Sequence, residues 1–150
     1  MKSIADPKRR RQLVERLEAL RVDTPRRWGT LTAAEMLCHL ADATSVLCRS
    51  DVPFKAGFAA PVLKWLALGT PLPTPKGLKT HPQIDPYRNG SRPSDFETDR
   101  QRAIDGLLEI ADAQPGDLNP HHPIFGSMSE GDWCRWAYDH TNHHLKQFGL

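Results

Sequence analysis

The sequence lacks any apolar run long enough to cross a bilayer. Its most hydrophobic window, Phe54 to Leu68, carries Lys55 and Lys64 and is broken by Pro61, which falls short of the roughly 20 apolar residues a spanning helix needs. No membrane partner is expected. Cysteine is scarce: Cys38, Cys48 and Cys134 are an odd number without metal-type pairing, so reduced thiols and a cytoplasmic location are expected. No secretory leader is expected, because Lys8-Arg9-Arg10-Arg11 has no apolar stretch behind it. Charge of one sign is also missing. The net charge is +2, and the short basic run lacks interleaved aromatics, so a solvated helix face is expected there rather than a nucleic-acid contact. There is no Gly-rich phosphate loop and no serine nucleophile elbow, which disfavours phosphate chemistry. Alternating strand patterns are nearly absent; Asn89-Gly90 sits between polar neighbours rather than between strands.

What is present is helical periodicity with start signals. Asp6 and Pro7 suit an N-cap and first helical position for a helix over about Pro7 to Arg21, with Leu13, Val14, Leu17 and Leu20 on one face. Thr32 and Glu35 form a capping box for a helix over about Ala33 to Arg49. Ser94 and Glu97 suggest another box, opening a helix over about Asp95 to Ala113 whose apolar stripe only Arg100 breaks. Ser129 and Asp132 open the last helix, about Glu130 to Phe148. The expected fold class is all-α, a four-helix bundle with a long crossover between helices two and three, in a single domain over residues 1–150.

That crossover runs from about Ser50 to Pro93 and holds most of the prolines. A connection so long calls for a job or a structure of its own. Phe58 to Leu68 is expected to form a short helix within it. The segment from Phe54 to Pro86 is expected to pack over the bundle end, because Phe54, Phe58, Leu63 and Trp65 would otherwise form an exposed apolar patch.

The seven histidines are unevenly placed. His140 and His144 are four residues apart, a turn of about 400°, so they project from nearly one helix face about 6 Å apart along the axis. This is the step by which zinc enzymes bring two imidazoles to one ion, although Thr141 stands where the H-E-x-x-H motif would place its glutamate. Trp133, Ala137, His140 and His144 share one inward stripe, and Met36, His39, Ala43 and Val46 share another. His39 therefore also faces the core. A lone inward histidine is more commonly a hydrogen-bonded core residue than a ligand. Three inward imidazoles without a shared partner are costly, and one metal would use all three acceptor nitrogens. His143, three residues after His140, stays open as a neighbour or substitute ligand. His81, His121 and His122 are expected in loops, the last two near the bundle end. Cys38 and Cys134 are expected to be small buried residues, Glu35 to serve its capping box, and Asp42 and Asp139 to sit at solvated surface positions, with orientation of imidazoles as their alternative role. Gln147 is expected either to cap the site or to close the helix end.

The segment from Trp28 to Leu40 resembles the second-helix entry of the DinB/YfiT-like superfamily of metal-binding four-helix bundles. The ending, from His122-Pro123-Ile124-Phe125-Gly126 through Trp133 to His140-Thr141-Asn142-His143-His144-Leu145-Lys146-Gln147-Phe148, resembles an uncharacterised branch of it, a domain of unknown function, as does the proline-rich stretch Pro71 to Pro75. The resemblance implies an up-up-down-down bundle and a divalent metal ion on His39, His140 and His144, zinc or nickel first and manganese or iron after them. His144 is the member of its pair that precedes Leu145-Lys146-Gln147, although Lys146 replaces a usually small residue there. Characterised members of that superfamily include thiol-dependent transferases and an isomerase.

Three neutral imidazoles leave a divalent ion with open positions, the pattern of a catalytic site. Such an ion lowers the pKa of a coordinated thiol or water. The expected function is a metal-dependent enzyme that activates a low-molecular-weight thiol or water against a small electrophile, a thiol S-transferase or a hydrolase. Its expected partners are a small-molecule substrate and no nucleic acid. The alternative is a non-catalytic, metal-stabilised structural or binding protein, with the long loop as a homodimer contact.

Overall fold

The long helices start where the sequence supplies caps. The computed structural model describes residues 2–49, 52–72, 74, 75, 77 and 80–150; Pro73 of the proline-rich stretch and Ser50 at the head of the crossover lie outside them. Helix α1, Pro7–Ala19, opens with Lys8 N–H donating to the Asp6 carboxylate at 2.9 Å and Pro7 in the first turn. Its inner face buries Leu13 and Leu17, and it stops two residues before the predicted end. Helix α2, Ala33–Asp42, has the expected box closed both ways: Glu35 N–H donates to Thr32 Oγ1 and Thr32 N–H donates to Glu35 Oε2.

The predicted second helix does not keep one winding. From Ala43 to Cys48 it continues as a π-helical segment. Thr44 and Ser45 lie there, and their hydroxyls bond back to the carbonyls of Leu40 and Ala41 at 3.3 Å each. Such back-bonding competes with the regular ladder and bends helices. Within the crossover, α3 spans Ala60–Gly69, close to the expected short helix, and Pro82–Ile84 form one 3-10 turn. Helix α4, Phe96–Asp112, is capped by Asp95, which accepts from Thr98 N–H at 2.9 Å. Ser94 does not cap it as expected, because its N–H is drawn to the buried carboxylate of Asp99 at 3.0 Å. Helix α5, Glu130–Gln147, opens with the expected Ser129–Asp132 box. Before it, β1 (His121–His122) and β2 (Gly126–Ser127) make a small antiparallel hairpin that the polar sequence did not announce, with His122 opposite Gly126. Gly126 has φ +68°, a conformation that favours glycine.

The fold is mainly helical. Helix α2 packs on α4, while α1 and α5 pack on each other and on α4. Leu13, Leu17, Met36, Leu37, Ile104, Leu107, Trp133 and Leu145 belong to one shared core. Where α4 packs on the π segment, a Cβ added at Gly106 would lie 2.7 Å from Thr44 Oγ1 and 2.9 Å from its Cβ. Asp42, expected at a solvated position, is buried instead and accepts from Ser91 N–H (2.6 Å) and Ser91 Oγ–H (2.7 Å). Arg102 reaches both Asp42 and the buried Asp99. The returning end of the crossover is thereby stapled to the end of α2.

The crossover packs only in part. Ile84, Ala60 and Leu68 are buried and Phe54 touches the core, but Phe58, Val62, Leu63, Trp65 and Leu66 are exposed, Phe58 completely. The expectation that Phe58, Leu63 and Trp65 pack inward fails: Phe58 lies in the exposed turn before α3, and Leu63 and Trp65 face outward because α3 is held along one side. Its contacts are to α5 and β2, anchored by Lys64 Nζ donating to the Ser127 carbonyl at 2.7 Å and to Asp132 at 3.1 Å. Among the described residues, no helix is long and apolar enough to cross a membrane.

The close approach at Gly106 yields a test. Gly106→Ala should lower the unfolding free energy by roughly 1–3 kcal/mol through overpacking against Thr44, measured by urea denaturation. An unchanged midpoint would show that α4 can move away from the π segment at no cost.

Candidate metal centre

The last turn of α2 supplies His39 and the last turns of α5 supply His140 and His144. The two inward stripes read from the sequence meet here. His39 Nε2 lies 3.0 Å from His140 Nε2, which lies 3.2 Å from His144 Nε2. One ligand nitrogen from each of the three residues falls within 4.8 Å of the others. His39 and His144 are buried and His140 is nearly so. His143 stands outside the cluster, edge-on to Trp28 with ring centroids 4.9 Å apart.

The far side of each ring decides what the near side can do. His39 Nδ1–H donates to the Ile84 carbonyl at 2.7 Å, and His144 Nδ1–H donates to Gln147 Oε1 at 2.9 Å. Both neutral rings then present a bare Nε2 lone pair to His140. A proton on His140 Nε2 can satisfy only one of them well. Three buried nitrogens thus face one another with too few protons to pair them, and a cation resolves that deficit. Ligands about 2.0–2.1 Å from a tetrahedral zinc ion lie about 3.4 Å apart, near the separations observed. The residues present therefore fit a divalent metal ion. Backbone carbonyl and carboxamide partners on the outer nitrogens also match the way metal-ligating histidines are oriented.

Electrostatics point the same way. Burial pushes the pKa of His39 down, and those of His140 and His144 well down, with the neighbouring imidazoles adding to the depression at His140 and His144. All three stay neutral, as ligands must. The cysteines are poor nucleophiles: burial raises Cys38 to about 12 and pushes Cys48 and Cys134 upward. The expectation of small buried residues agrees with their positions.

Three parts of this site were not visible in the sequence. The Ile84 carbonyl comes from a proline-rich loop and carries no residue-type signal. Trp136 stacks on His140 with centroids 4.6 Å apart; its helical register was legible but not this role. His122, expected in a loop, sits in β1 and is buried against Phe125, Trp133 and Trp136. Gln147 takes the site-capping role of its two expected alternatives. Asp139 is half-buried and lines, with His143 and Trp28, a separate surface cavity of about 800 Å³.

Residues 8–149 match the family model described as "Protein of unknown function (DUF1569)". No curated protein and no solved structure matches the chain.

Neutral buried histidines make stability depend on acid. On unfolding, these rings take up protons once the pH falls below about 6.5, so the unfolded state binds more protons and stability falls with pH. His122, lowered by burial to about 4, accounts for a loss of roughly 3 kcal/mol between pH 6.5 and 4, and the three clustered histidines act in the same direction. Thermal melts of the metal-free protein should therefore fall steadily from pH 7 to 4.5. A flat melting temperature across that window would show that the rings are not held neutral.

Proposed function

This chain belongs to the DUF1569 family of proteins of unknown function, and we propose that it is a metal-dependent enzyme built as one DinB/YfiT-like four-helix bundle over residues 1–150. Its centre is His39, His140 and His144. A divalent ion bound there, zinc or nickel first, supplies Lewis acidity that turns a low-molecular-weight thiol, or failing that water, into a nucleophile at neutral pH. The observation that carries the reading is the convergence of three neutral Nε2 atoms with two of their rings locked from behind. Three protein ligands leave coordination positions free for an incoming group.

The chain's own residues have separable tasks. Ile84 and Gln147 hold the His39 and His144 rings in the tautomer that exposes Nε2. Trp136 covers one face of His140 and excludes water from it. Shared burial of elements from both ends of the chain in one core supports the single-domain bundle.

A second reading is favoured by α3. Its exposed Leu63 and Trp65, with Phe58 in the turn before it, suit a homodimer contact, and in that reading the metal stabilises the fold without turnover. The two readings part on chelation. In both, chelation lowers thermal stability; only in the first does it abolish a reaction that returning metal restores.

Metal analysis of tag-free protein tests the ligands. His39→Ala, His140→Ala and His144→Ala, each checked for folding, should lose the ion, whereas His143→Ala should keep it. Full metal content in any of the first three removes that residue from the centre. Gln147→Leu should keep the ligands but weaken metal affinity by about tenfold or more.

The thiol assignment has its own test. Cobalt-substituted protein titrated with small thiols should show a changed visible spectrum, and transfer to an electrophile should persist below about pH 8.5, the ordinary cysteine pKa. A spectrum indifferent to every thiol tested, with metal still bound, sets direct thiol coordination aside in favour of water.

A further inference from the structure

Helix α5 carries a second stripe beside the one that bears the clustered histidines. Asp139, Asn142, His143 and Lys146 recur at steps of three and four, so they share one side of the helix. All four line the surface cavity of about 800 Å³, a volume in the range of small-molecule sites. Leu68, Pro71 and Leu72, from the end of α3 and the chain after it, give the lining an apolar share. Lys2 brings a further cation to it from ahead of α1.

The charges in this cavity are unengaged. Among the described residues, the half-buried Asp139 carboxylate makes no hydrogen bond and no ion pair within 4 Å, and neither do the Lys2 and Lys146 ammonium groups. The fields of both lysines nevertheless reach Asp139, so the three groups share one space without touching. Arg9, the third cation of the lining, is already held by Asp6 at 3.2 Å. A carboxylate that has lost part of its water without gaining a donor calls for one.

The spacing of the charges sets the size of what fits. Asp139 and Lys146 are seven residues apart, about 10 Å along the helix axis. A free amino acid carries its two charges on one carbon and cannot span that interval. An extended dipeptide holds its ammonium and carboxylate roughly 6–7 Å apart, and the flexible lysine stem covers the rest. A molecule with a charge of one sign leaves the opposite group without a partner.

We propose that this cavity binds a small linear zwitterion of dipeptide size, with its ammonium group on Asp139, its carboxylate on Lys2 and Lys146, and an apolar side chain against Leu68, Pro71 and Leu72. The site stands apart from the three-histidine centre and does not depend on an ion there.

Alanyl-phenylalanine is the probe, followed by NMR on isotope-labelled protein. The Trp28 indole N–H and the backbone N–H groups of Lys2, Leu72 and Lys146 should shift on titration. The N-acetylated and C-amidated forms of the peptide, each lacking one charge, should bind roughly tenfold more weakly. Asp139→Asn should weaken the free peptide to a similar degree and leave the N-acetylated form no weaker. The double substitution Lys2→Gln with Lys146→Gln should weaken the free peptide and leave the amide no weaker. None of these side chains makes a hydrogen bond that the fold would lose, and thermal melts check this.

Peptides also ligate metal ions, so the titration is repeated after chelation. The same shifts in metal-free protein place the peptide in the cavity, even if the three-histidine reading fails. Binding lost on chelation from protein that stays folded places it on the ion and overturns the proposal. If chelation unfolds the chain, the two charge variants decide. Equal affinity for all three peptide forms, or no shift at millimolar peptide, also overturns it and leaves the three charges simply solvated.

Discussion

The hydrogen bond from His39 Nδ1 to the Ile84 carbonyl connects a side chain in the last turn of α2 to the backbone of the long crossover. It sets the tautomer of His39, and with it the direction of the lone pair that faces His140. It also gives the crossover a fixed point inside the protein, to which the Asp42–Ser91 pairing adds a second. Between these points the chain turns through Asp85 to Gly90, where Gly90 N–H donates to the Asp85 carbonyl at 3.0 Å. A loop of this length is expected to be either functional or loose. Here its backbone completes the site, which gives a physical reason for so much proline-stiffened chain to be kept.

Helix α5 makes the matching connection at the other end. Gln147 accepts from His144, while its backbone carbonyl accepts from Arg27 N–H at 2.6 Å. The segment leading into α2 is thus tied to the residue that orients His144 on α5. Arg16 of α1 reaches Asn142 and the Leu150 carbonyl, so α1 and the segment leading into α2 both converge on the end of α5. Buried, neutral histidines weaken the metal-free fold in acid. These ties are what hold the rings together without an ion.

The parts legible in the sequence were those carried by local chemistry. Asp6-Pro7, Thr32–Glu35 and Ser129–Asp132 each opened a helix where expected, because a cap is decided within four residues. The convergence of His39, His140 and His144 was legible because helical periodicity fixes which face a residue occupies. What stayed hidden depends on residues far apart in the chain. Asp95 displaced Ser94 as cap because Asp99 is buried and takes the Ser94 N–H. The π segment depends on hydroxyls bonding backward. The outward face of α3 depends on Lys64 finding Ser127 and Asp132. The Ile84 carbonyl could not be found by residue type, since every residue has one. For His122, the sequence showed the residue but not its burial.

The buried carboxylate at the end of α2 has a consequence in charge balance. All three histidines at the centre are neutral, so a divalent ion would bring two unneutralised positive charges into a place where isolated charge is expensive. Asp42 and Asp85 are the anionic groups whose fields reach His39. Asp42 is already shared with Arg102 and Ser91, and Asp85 is engaged with Arg88. The protein therefore offsets only part of the ion's charge. With an ion in place, the remainder would favour negative charge at a free coordination position: a thiolate, hydroxide or carboxylate would be held there more strongly than its neutral conjugate acid. With an ion bound, the centre would in this sense be an anion receptor whose polarity is set by what the three imidazoles leave uncancelled.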